Sequence, residues 1–157
     1  MISSRKLLVA GLVLLAFAIS IAVVGIGFIS NSTEQSAANV SQATVTKSTC
    51  ERPPGFILII ADLSGFNNSI GHGAPSNPWP VITVRRGDVV RLLVCNKDPT
   101  QPHGFAIGTY LDAGVTLAPG DAYRIVFTAT APGSFVIYCN IFCTVHVYMV
   151  GRLIVSD

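Results

Sequence analysis

A cluster of sulfur and imidazole side chains near the C-terminal end constrains this chain more than any other feature. Cys139, Cys143, His146 and Met149 fall within eleven residues. Thiolate and thioether sulfur combined with imidazole suits copper, whereas magnesium, calcium and manganese prefer oxygen ligands. The segment 138–149 is therefore interpreted as a copper-binding loop.

Two apolar stretches flank this loop and indicate how it is held. Residues 135–138 and 152–155 are rich in branched and aromatic side chains, which predicts two strands joined by a ligand-bearing turn. A turn fixed at both ends can present several donor atoms to one point. His103 follows the apolar run 89–94 and is the candidate for a further donor from elsewhere in the chain. One distant histidine with a C-terminal cluster resembles the cupredoxin layout.

The segment 103–155 resembles the copper domain of subunit II of haem-copper respiratory oxidases, particularly the short forms with one N-terminal membrane helix. The resemblance covers the whole chain in layout and is dense from residue 103 onward. The matching residues are His103-Gly104-Phe105, Leu117-Ala118-Pro119-Gly120, Ala131-Pro132-Gly133-Ser134-Phe135, Cys139-Asn140-x-Phe142-Cys143 and His146-x-x-Met149-x-Gly151.

In that family the matching pattern builds a dinuclear copper centre called CuA. The resemblance therefore implies two bridging thiolates, two terminal imidazoles, one weak axial thioether and one backbone carbonyl as ligands. In this sequence they are, in that order, Cys139 and Cys143, His103 and His146, Met149, and Ile141.

One spacing departs from the family pattern. Only Thr144 and Val145 lie between Cys143 and His146, where the family has three residues. The shorter spacing is similar to that of amicyanin, a mononuclear blue copper protein with one Cys, two His and one Met as ligands. In that interpretation Cys139 is a spare thiol packed on the strand. The number of copper ions, two or one, stays open at this point.

The two thiols of the loop also allow interpretations without copper. Cys139 and Cys143 are four positions apart, so they can form a disulfide, or bind zinc together with His146. Closed zinc sites favour four Cys or His ligands, and Met149 would have no purpose in one.

An apolar segment at the N-terminal end predicts a membrane anchor in residues 1–30. Residues 7–29 are apolar apart from Ser20, and as a helix they would extend over roughly 34 Å, enough for a bilayer core of ~30 Å. Arg5 and Lys6 precede this stretch, so the N-terminus is expected in the cytoplasm and the rest of the chain outside. A cleaved signal peptide is the alternative, although the run is longer than the usual apolar core of about 7–15 residues.

Composition agrees with attachment to a lipid bilayer and argues against one class of partner. The apolar fraction is 50% and the charged fraction 11%, and so low a charged fraction indicates membrane attachment. The net charge of +2 is too small to indicate a nucleic-acid partner. The predicted location is the cell membrane, with a single pass and an extracytoplasmic copper domain.

Beyond the anchor, residues 31–50 are rich in Ser, Thr, Ala, Asn and Gln and are predicted to form a polar tether. The copper domain is expected over residues 51–157. Short apolar stretches separated by Gly and Pro turns predict a mainly β, cupredoxin-like Greek-key sandwich or barrel. The predicted strands lie at residues 56–61, 81–84, 89–94, 106–107, 114–117, 123–128, 135–138 and 152–155.

Within the strand at 89–94, Arg91 determines the predicted orientation, because its guanidinium requires water. Side chains alternate between the two faces of a strand, so the even-numbered residues should face the core. These core-facing residues are Val90, Leu92 and Val94, and the residues on the opposite side are Leu93 and Cys95.

Two further cysteines, Cys50 and Cys95, lie outside the copper cluster. An even pair in an oxidising exterior favours a disulfide, which would fasten the end of the tether to the strand that leads to His103. Two free thiols are the alternative, because the sequence alone contains no distance between them.

The predicted site is suited to electron transfer. The chain alone is not expected to break a bond in a substrate. Copper held in a cavity fixed by the fold changes oxidation state with little ligand movement, and no activated serine or paired carboxylates are visible. Packing of Phe142 and Tyr138 around the sulfurs is expected to tune the potential. The resemblance implies the electron-input subunit of a cytochrome c oxidase-type enzyme. Such a subunit takes electrons from an external donor and passes them to haem in membrane subunit I, where oxygen is reduced.

Two other functions remain open at this stage, and so does the donor. A mononuclear site would suit a membrane-tethered blue copper carrier, and a chain that has lost its metal would be a structural subunit of a quinol oxidase. The donor, a cytochrome c or a small copper protein, stays open. The relatives carry an aromatic-rich segment implicated in receiving electrons from cytochrome c, whereas this chain has Phe66 and Trp79 separated by a longer insertion within residues 62–80. His72 in that segment is predicted to be a solvated loop histidine.

Overall fold

The computed structural model describes residues 41–157. This part of the chain contains ten β-strands and one short 3-10 helix. The strands are β1 (Thr44–Ser48), β2 (Ile57–Asp62), β3 (Gly65–Phe66), β4 (Val81–Arg85), β5 (Val89–Asn96), β6 (His103–Ile107), β7 (Leu111–Leu117), β8 (Ala122–Thr128), β9 (Gly133–Tyr138) and β10 (Val150–Ser156). The 3-10 helix spans His146–Tyr148, between β9 and β10. The predicted membrane anchor and residues 31–40 of the predicted tether lie outside the described residues. Among residues 41–157 no helix is long and apolar enough to cross a membrane.

The strands form two sheets of five strands each, so the mainly β prediction is confirmed. The first sheet has the order β1-β8-β5-β2-β3, and the second has the order β4-β10-β9-β6-β7. Two pairs of neighbours run parallel, β2 with β5 and β4 with β10, and the other pairs are antiparallel. Because the strands form two separate sheets, the architecture is a sandwich and not a single closed barrel.

One continuous hydrophobic core fills the space between the sheets. The first sheet contributes Ile59, Leu92 and Ile125, and the second contributes Phe105 and Leu153. Burial of such apolar surface is the main favourable contribution to folding. Three residues of the predicted copper loop belong to the same cluster, namely Cys139, Cys143 and Met149. The loop is therefore anchored in the core at one end of the sandwich.

Every predicted strand overlaps an observed one, but two observed strands were not predicted. β1 lies within residues 31–50, which were predicted to be a tether, and pairs with β8 from Thr44↔Val126 to Ser48↔Ala122. Its sequence is polar and mostly exposed, so it carries little hydrophobic signal, and the backbone groups on the edge of β8 provide its pairing. β3 is only two residues long and pairs with the end of β2.

The predicted orientation of β5 and the predicted disulfide are both confirmed. Val90, Leu92 and Val94 lie in the main core, whereas Leu93 and Cys95 pack in a second, smaller cluster. A disulfide joins Cys50 to Cys95, with 5.6 Å between their Cα atoms. The residue just beyond β1 is thus attached to the strand that leads toward His103.

Three strands of the second sheet position the candidate metal loop. β9 ends at Tyr138, β10 begins at Val150, and these two residues pair with each other. On its other side β9 pairs with β6, where Ala106 lies opposite Tyr138. Since β6 and β9 are antiparallel, the first residues of β6 extend past the end of β9 and run beside the loop.

Candidate metal centre

Three side chains of the loop bring donor atoms close together. The Sγ atoms of Cys139 and Cys143 and a ring nitrogen of His146 all lie within 4.8 Å of one another. Both thiols are free and buried, and their sulfurs are 3.7 Å apart. The interpretation of this pair as a disulfide is therefore wrong. Sulfurs at this separation could both bind one metal ion, because metal–sulfur distances are about 2.3 Å.

The backbone carbonyl of Ile141 points into the same group of atoms. Its oxygen is 3.1 Å from Sγ of Cys139 and 2.8 Å from Nδ1 of His146. The sequence prediction named this carbonyl as a ligand, and the structure places it beside two of the others. His146 is exposed, so this side of the cluster is its solvent-facing edge.

Met149 closes the loop from the core side. Its Sδ atom is 3.6 Å from Sγ of Cys143, and the side chain is almost fully buried. The 3-10 helix produces this position, because the Met149 N–H donates to the carbonyls of Val145 and His146. The Met149 carbonyl in turn accepts a hydrogen bond from the Cys139 N–H at 3.2 Å. Both ends of the loop are thus joined by backbone hydrogen bonds.

His103 is not one of the three residues whose donor atoms lie within 4.8 Å of one another. The next residue, Gly104, donates its N–H to Sγ of Cys139 at 3.2 Å, so the two segments are in contact. The imidazole is fully buried, and its Nδ1 atom has no hydrogen-bond partner within residues 41–157. A buried polar atom without a partner is rare and fits a metal ligand.

Sequence reasoning missed Asp98, which is buried against His103. Its Oδ2 atom is 3.1 Å from Nε2 of His103. Burial alone would raise the pKa of Asp98. Hydrogen bonds from the backbone of Thr100 and Gln101, the Thr100 hydroxyl and His103 together hold that pKa below its ordinary value. The signal in the sequence was the Asp98-Pro99-Thr100 turn shortly before the candidate histidine.

The surroundings of the Cys143 thiol affect its protonation. Burial raises the pKa of the Cys143 thiol to about 11, and the neighbouring Cys139 adds to this shift. Cys143 is therefore a neutral thiol at neutral pH in the metal-free chain. Because the thiolate is the form that binds metal, binding at Cys143 must release a proton.

Close packing fixes the loop against β6 and the preceding turn. A Cβ atom on Gly104 would lie 2.7 Å from the backbone nitrogen of Asn140 and 2.9 Å from that of Ile141. Only glycine allows this approach. On the other side, the amide oxygen of Gln101 accepts hydrogen bonds from the backbone N–H and the hydroxyl of Thr144, at 3.3 and 3.0 Å.

The aromatic residues around the site are arranged differently from the sequence expectations. Phe142 was expected to pack around the sulfurs, but it is 91% exposed, because the loop leaves the strand before this residue and turns it outward. Phe66 is buried in the core against Phe105, so it is no part of the surface. Trp79 is half-buried and stacks on His72, with ring centroids 4.1 Å apart. His72 is exposed, as predicted for a loop histidine.

Comparisons with known proteins relate the architecture to copper proteins of known structure. No family model matches the sequence. A chain from a cryo-EM structure of a haem-copper terminal oxidase dimer is 19% identical, over 97% of this chain and 98% of that chain, with a TM-score of 0.50. Copper nitrite reductase from Nitrosomonas europaea is 12% identical, over 65% of this chain and 49% of that chain, with a TM-score of 0.52. Amicyanin from Paracoccus versutus is 21% identical, over 73% of this chain and 98% of that chain, with a TM-score of 0.47. The likeness to the oxidase and reductase chains is one of fold, and the described part of this chain is a cupredoxin-like β-sandwich.

Proposed function

We propose that this chain is an electron-transfer protein that binds copper in a dinuclear, CuA-like centre and serves as subunit II of a haem-copper terminal oxidase. The ligands in this proposal are the side chains of His103, Cys139, Cys143, His146 and Met149 and the backbone carbonyl of Ile141. The position of Cys139 carries the proposal. Its sulfur lies among the other donors, 3.7 Å from Sγ of Cys143 and 3.1 Å from the carbonyl of Ile141, which is unexpected for a spare thiol.

The side chain of His103 also supports this ligand set. Its Nδ1 atom is buried and has no hydrogen-bond partner within residues 41–157, and the next residue, Gly104, donates its N–H to Sγ of Cys139. In a centre with two ions, Cys139 and Cys143 would supply the thiolates, and His103 and His146 would supply the imidazoles.

The surroundings of the donor atoms suit a copper site that changes oxidation state without large movement of its ligands. Bound copper would supply one-electron redox chemistry at a potential set by its ligands. The chain keeps water from Cys139, Cys143 and Met149 by burying them in the core. His146 is exposed and provides the edge of the site nearest to solvent. The chain alone breaks no substrate bond, so oxygen reduction belongs to the whole complex.

Partners and location extend the same proposal. The similarity to a chain of a haem-copper terminal oxidase dimer supports a haem-containing subunit I as the partner in the membrane. The apolar segment 7–29 would be the single membrane pass, with the copper domain outside the cell. A cytochrome c or a small copper protein would be the external donor.

A mononuclear blue copper carrier is the second candidate function. The observation that favours it is the spacing of two residues between Cys143 and His146, which is similar to that of amicyanin. In that case Cys143 would be the one thiolate ligand, and Cys139 would have no part in metal binding. A metal-free structural subunit is the least favoured alternative, because a complete set of soft donors is present.

Copper content and EPR spectra of the copper-loaded chain distinguish these functions. One unpaired electron shared by two copper nuclei gives a seven-line hyperfine pattern, one copper gives four lines, and a metal-free domain gives no signal. We expect two copper ions per chain and seven lines. Replacing Cys139→Ser and Cys143→Ser in separate variants should abolish the seven-line pattern in both. A blue, four-line spectrum in the wild type that survives Cys139→Ser and disappears with Cys143→Ser would establish the mononuclear site instead.

A further inference from the structure

A buried carboxylate determines which nitrogen of His103 is free. The side chains of Asp98 and His103 are both 0% exposed, and Oδ2 of Asp98 is 3.1 Å from Nε2 of His103. A neutral imidazole carries one proton, and an ionised carboxylate can only accept a hydrogen bond. The proton therefore stays on Nε2. The lone pair is then on Nδ1, the buried atom that has no partner among the described residues.

The carboxylate is itself held in one orientation. Its other oxygen, Oδ1, accepts hydrogen bonds from the Thr100 N–H at 2.8 Å, the Thr100 hydroxyl at 3.0 Å and the Gln101 N–H at 3.0 Å. The Asp98 N–H donates to Oδ1 of Asn96 at 2.9 Å. Because three donors occupy Oδ1, Oδ2 remains available to accept a hydrogen bond from His103. The carboxylate cannot rotate without losing several hydrogen bonds.

The same turn also holds the ligand loop. Gln101, whose backbone binds Asp98, accepts two hydrogen bonds from Thr144 through its side chain. Asn96 ties the turn to the sheets, because its amide donates to the carbonyls of Gln101 and Leu117. One short segment thus connects the end of β5, the histidine on β6 and the loop before β10.

We propose that Asp98 is a positioning residue, which keeps the proton of His103 on Nε2 and presents Nδ1 toward the metal position. The role for copper rests on the proposed function, but the tautomer is a property of the metal-free chain. A histidine with its ligand atom already free and oriented binds metal more tightly, and losing such a partner weakens binding by about 10–100-fold.

The first test is the tautomer of His103 in the metal-free full chain, measured by two-dimensional NMR of the ¹⁵N-labelled imidazoles. The chain has three histidines, so the ring signals can be assigned by single His→Gln substitutions. We expect the proton of His103 on Nε2. A proton on Nδ1 would overturn the proposal. No variant of His103 or Asp98 is needed, because substitution of the exposed His72 and His146 identifies their signals and leaves that of His103 by elimination.

The second test is the substitution Asp98→Asn. The hydrogen bonds to Oδ1 fix the orientation of the new amide, so the effect on His103 can be predicted. The oxygen of the new amide must stay with the three donors from Thr100 and Gln101, so its NH₂ group faces Nε2 of His103. That nitrogen must then accept a hydrogen bond, and the proton should move to Nδ1. The same substitution in Ser-His-Asp triads likewise produces the wrong tautomer.

Asp62→Asn is the matched control. Asp62 accepts hydrogen bonds from the Ser64 N–H and hydroxyl in a similar turn, and no histidine partner is found for it in the described part of the chain. Copper affinity, measured by competition with a chelator, should fall about 10–100-fold in Asp98→Asn and stay unchanged in Asp62→Asn. Equal affinities of wild type and Asp98→Asn would overturn the positioning role alone. A wild-type chain that binds no copper would overturn the proposed function, while the tautomer measurement would still report on the role of Asp98 in holding His103.

Discussion

Single contacts decide which atoms of the candidate centre can face a metal. The Gly104 N–H lies against the sulfur of Cys139, the carboxylate of Asp98 takes one nitrogen of His103, and the thioether of Met149 approaches Cys143. These contacts hold Cys139, His103 and Met149 in place in the metal-free chain. The donors are therefore arranged before any metal binds, which lowers the cost of ordering them on binding.

Met149→Leu tests the assignment of the thioether as an axial ligand. A volume-conserving change in a core costs less than about 1.5 kcal/mol, so the domain should stay folded. Removal of an electron-donating axial ligand destabilises the oxidised metal more than the reduced one, and the reduction potential should rise. Redox titration of the copper-loaded chain measures this change. An unchanged potential, with unchanged copper content and unfolding midpoint, would show that Met149 is only a core residue.

At the scale of elements, the site depends on how closely β6 approaches the loop between β9 and β10. β6 is fully buried, and its first residues pass the loop at a distance that only glycine permits at position 104. Close approach of two backbones leaves no room for rearrangement, because protein interiors are packed as densely as crystals. The position of His103 relative to the thiols follows from this contact between elements.

Gly104→Ala should therefore disturb the site, whereas Gly108→Ala should not. A methyl group at position 104 would meet the backbone nitrogens of Asn140 and Ile141 at 2.7 and 2.9 Å, and neither can move without the loop. At position 108 the nearest atom is the Val136 carbonyl oxygen at 3.9 Å, an ordinary contact. Overpacking of this kind costs about 1–3 kcal/mol.

Denaturant unfolding and copper affinity measure the two effects of these variants. The expected result is lower stability and weaker copper binding for Gly104→Ala, with Gly108→Ala close to wild type in both. Similar behaviour of the two variants would mean that the contact between β6 and the loop does not control the site.

At the scale of the whole molecule, the sequence was sufficient for those features that follow from local periodicity or residue chemistry. Arg91 was enough to orient β5, because side chains in a strand must alternate. The soft donors of the loop were visible as residue types. Asp98 was missed, although it lies only five residues before His103, because it belongs to a turn, and a turn has no periodic pattern from which a buried partner can be inferred. The outward direction of Phe142 was missed for the same reason, because a loop has no period from which burial can be inferred.

The disulfide between Cys50 and Cys95 acts on the whole molecule, chiefly by restricting the unfolded chain. Because the two cysteines are 45 positions apart in the sequence, the loss of chain entropy in the unfolded state corresponds to about 4 kcal/mol of stability. The double variant Cys50→Ala/Cys95→Ala should lose most of this free energy of unfolding in guanidinium titrations of the metal-free chain. Dithiothreitol should lower the stability of the wild type by a similar amount and leave the double variant unchanged. Because the effect lies in the unfolded state, copper affinity of the folded double variant should equal that of the wild type. A drop in that affinity would show instead that the bridge holds the turn around Asp98 in place through Asn96.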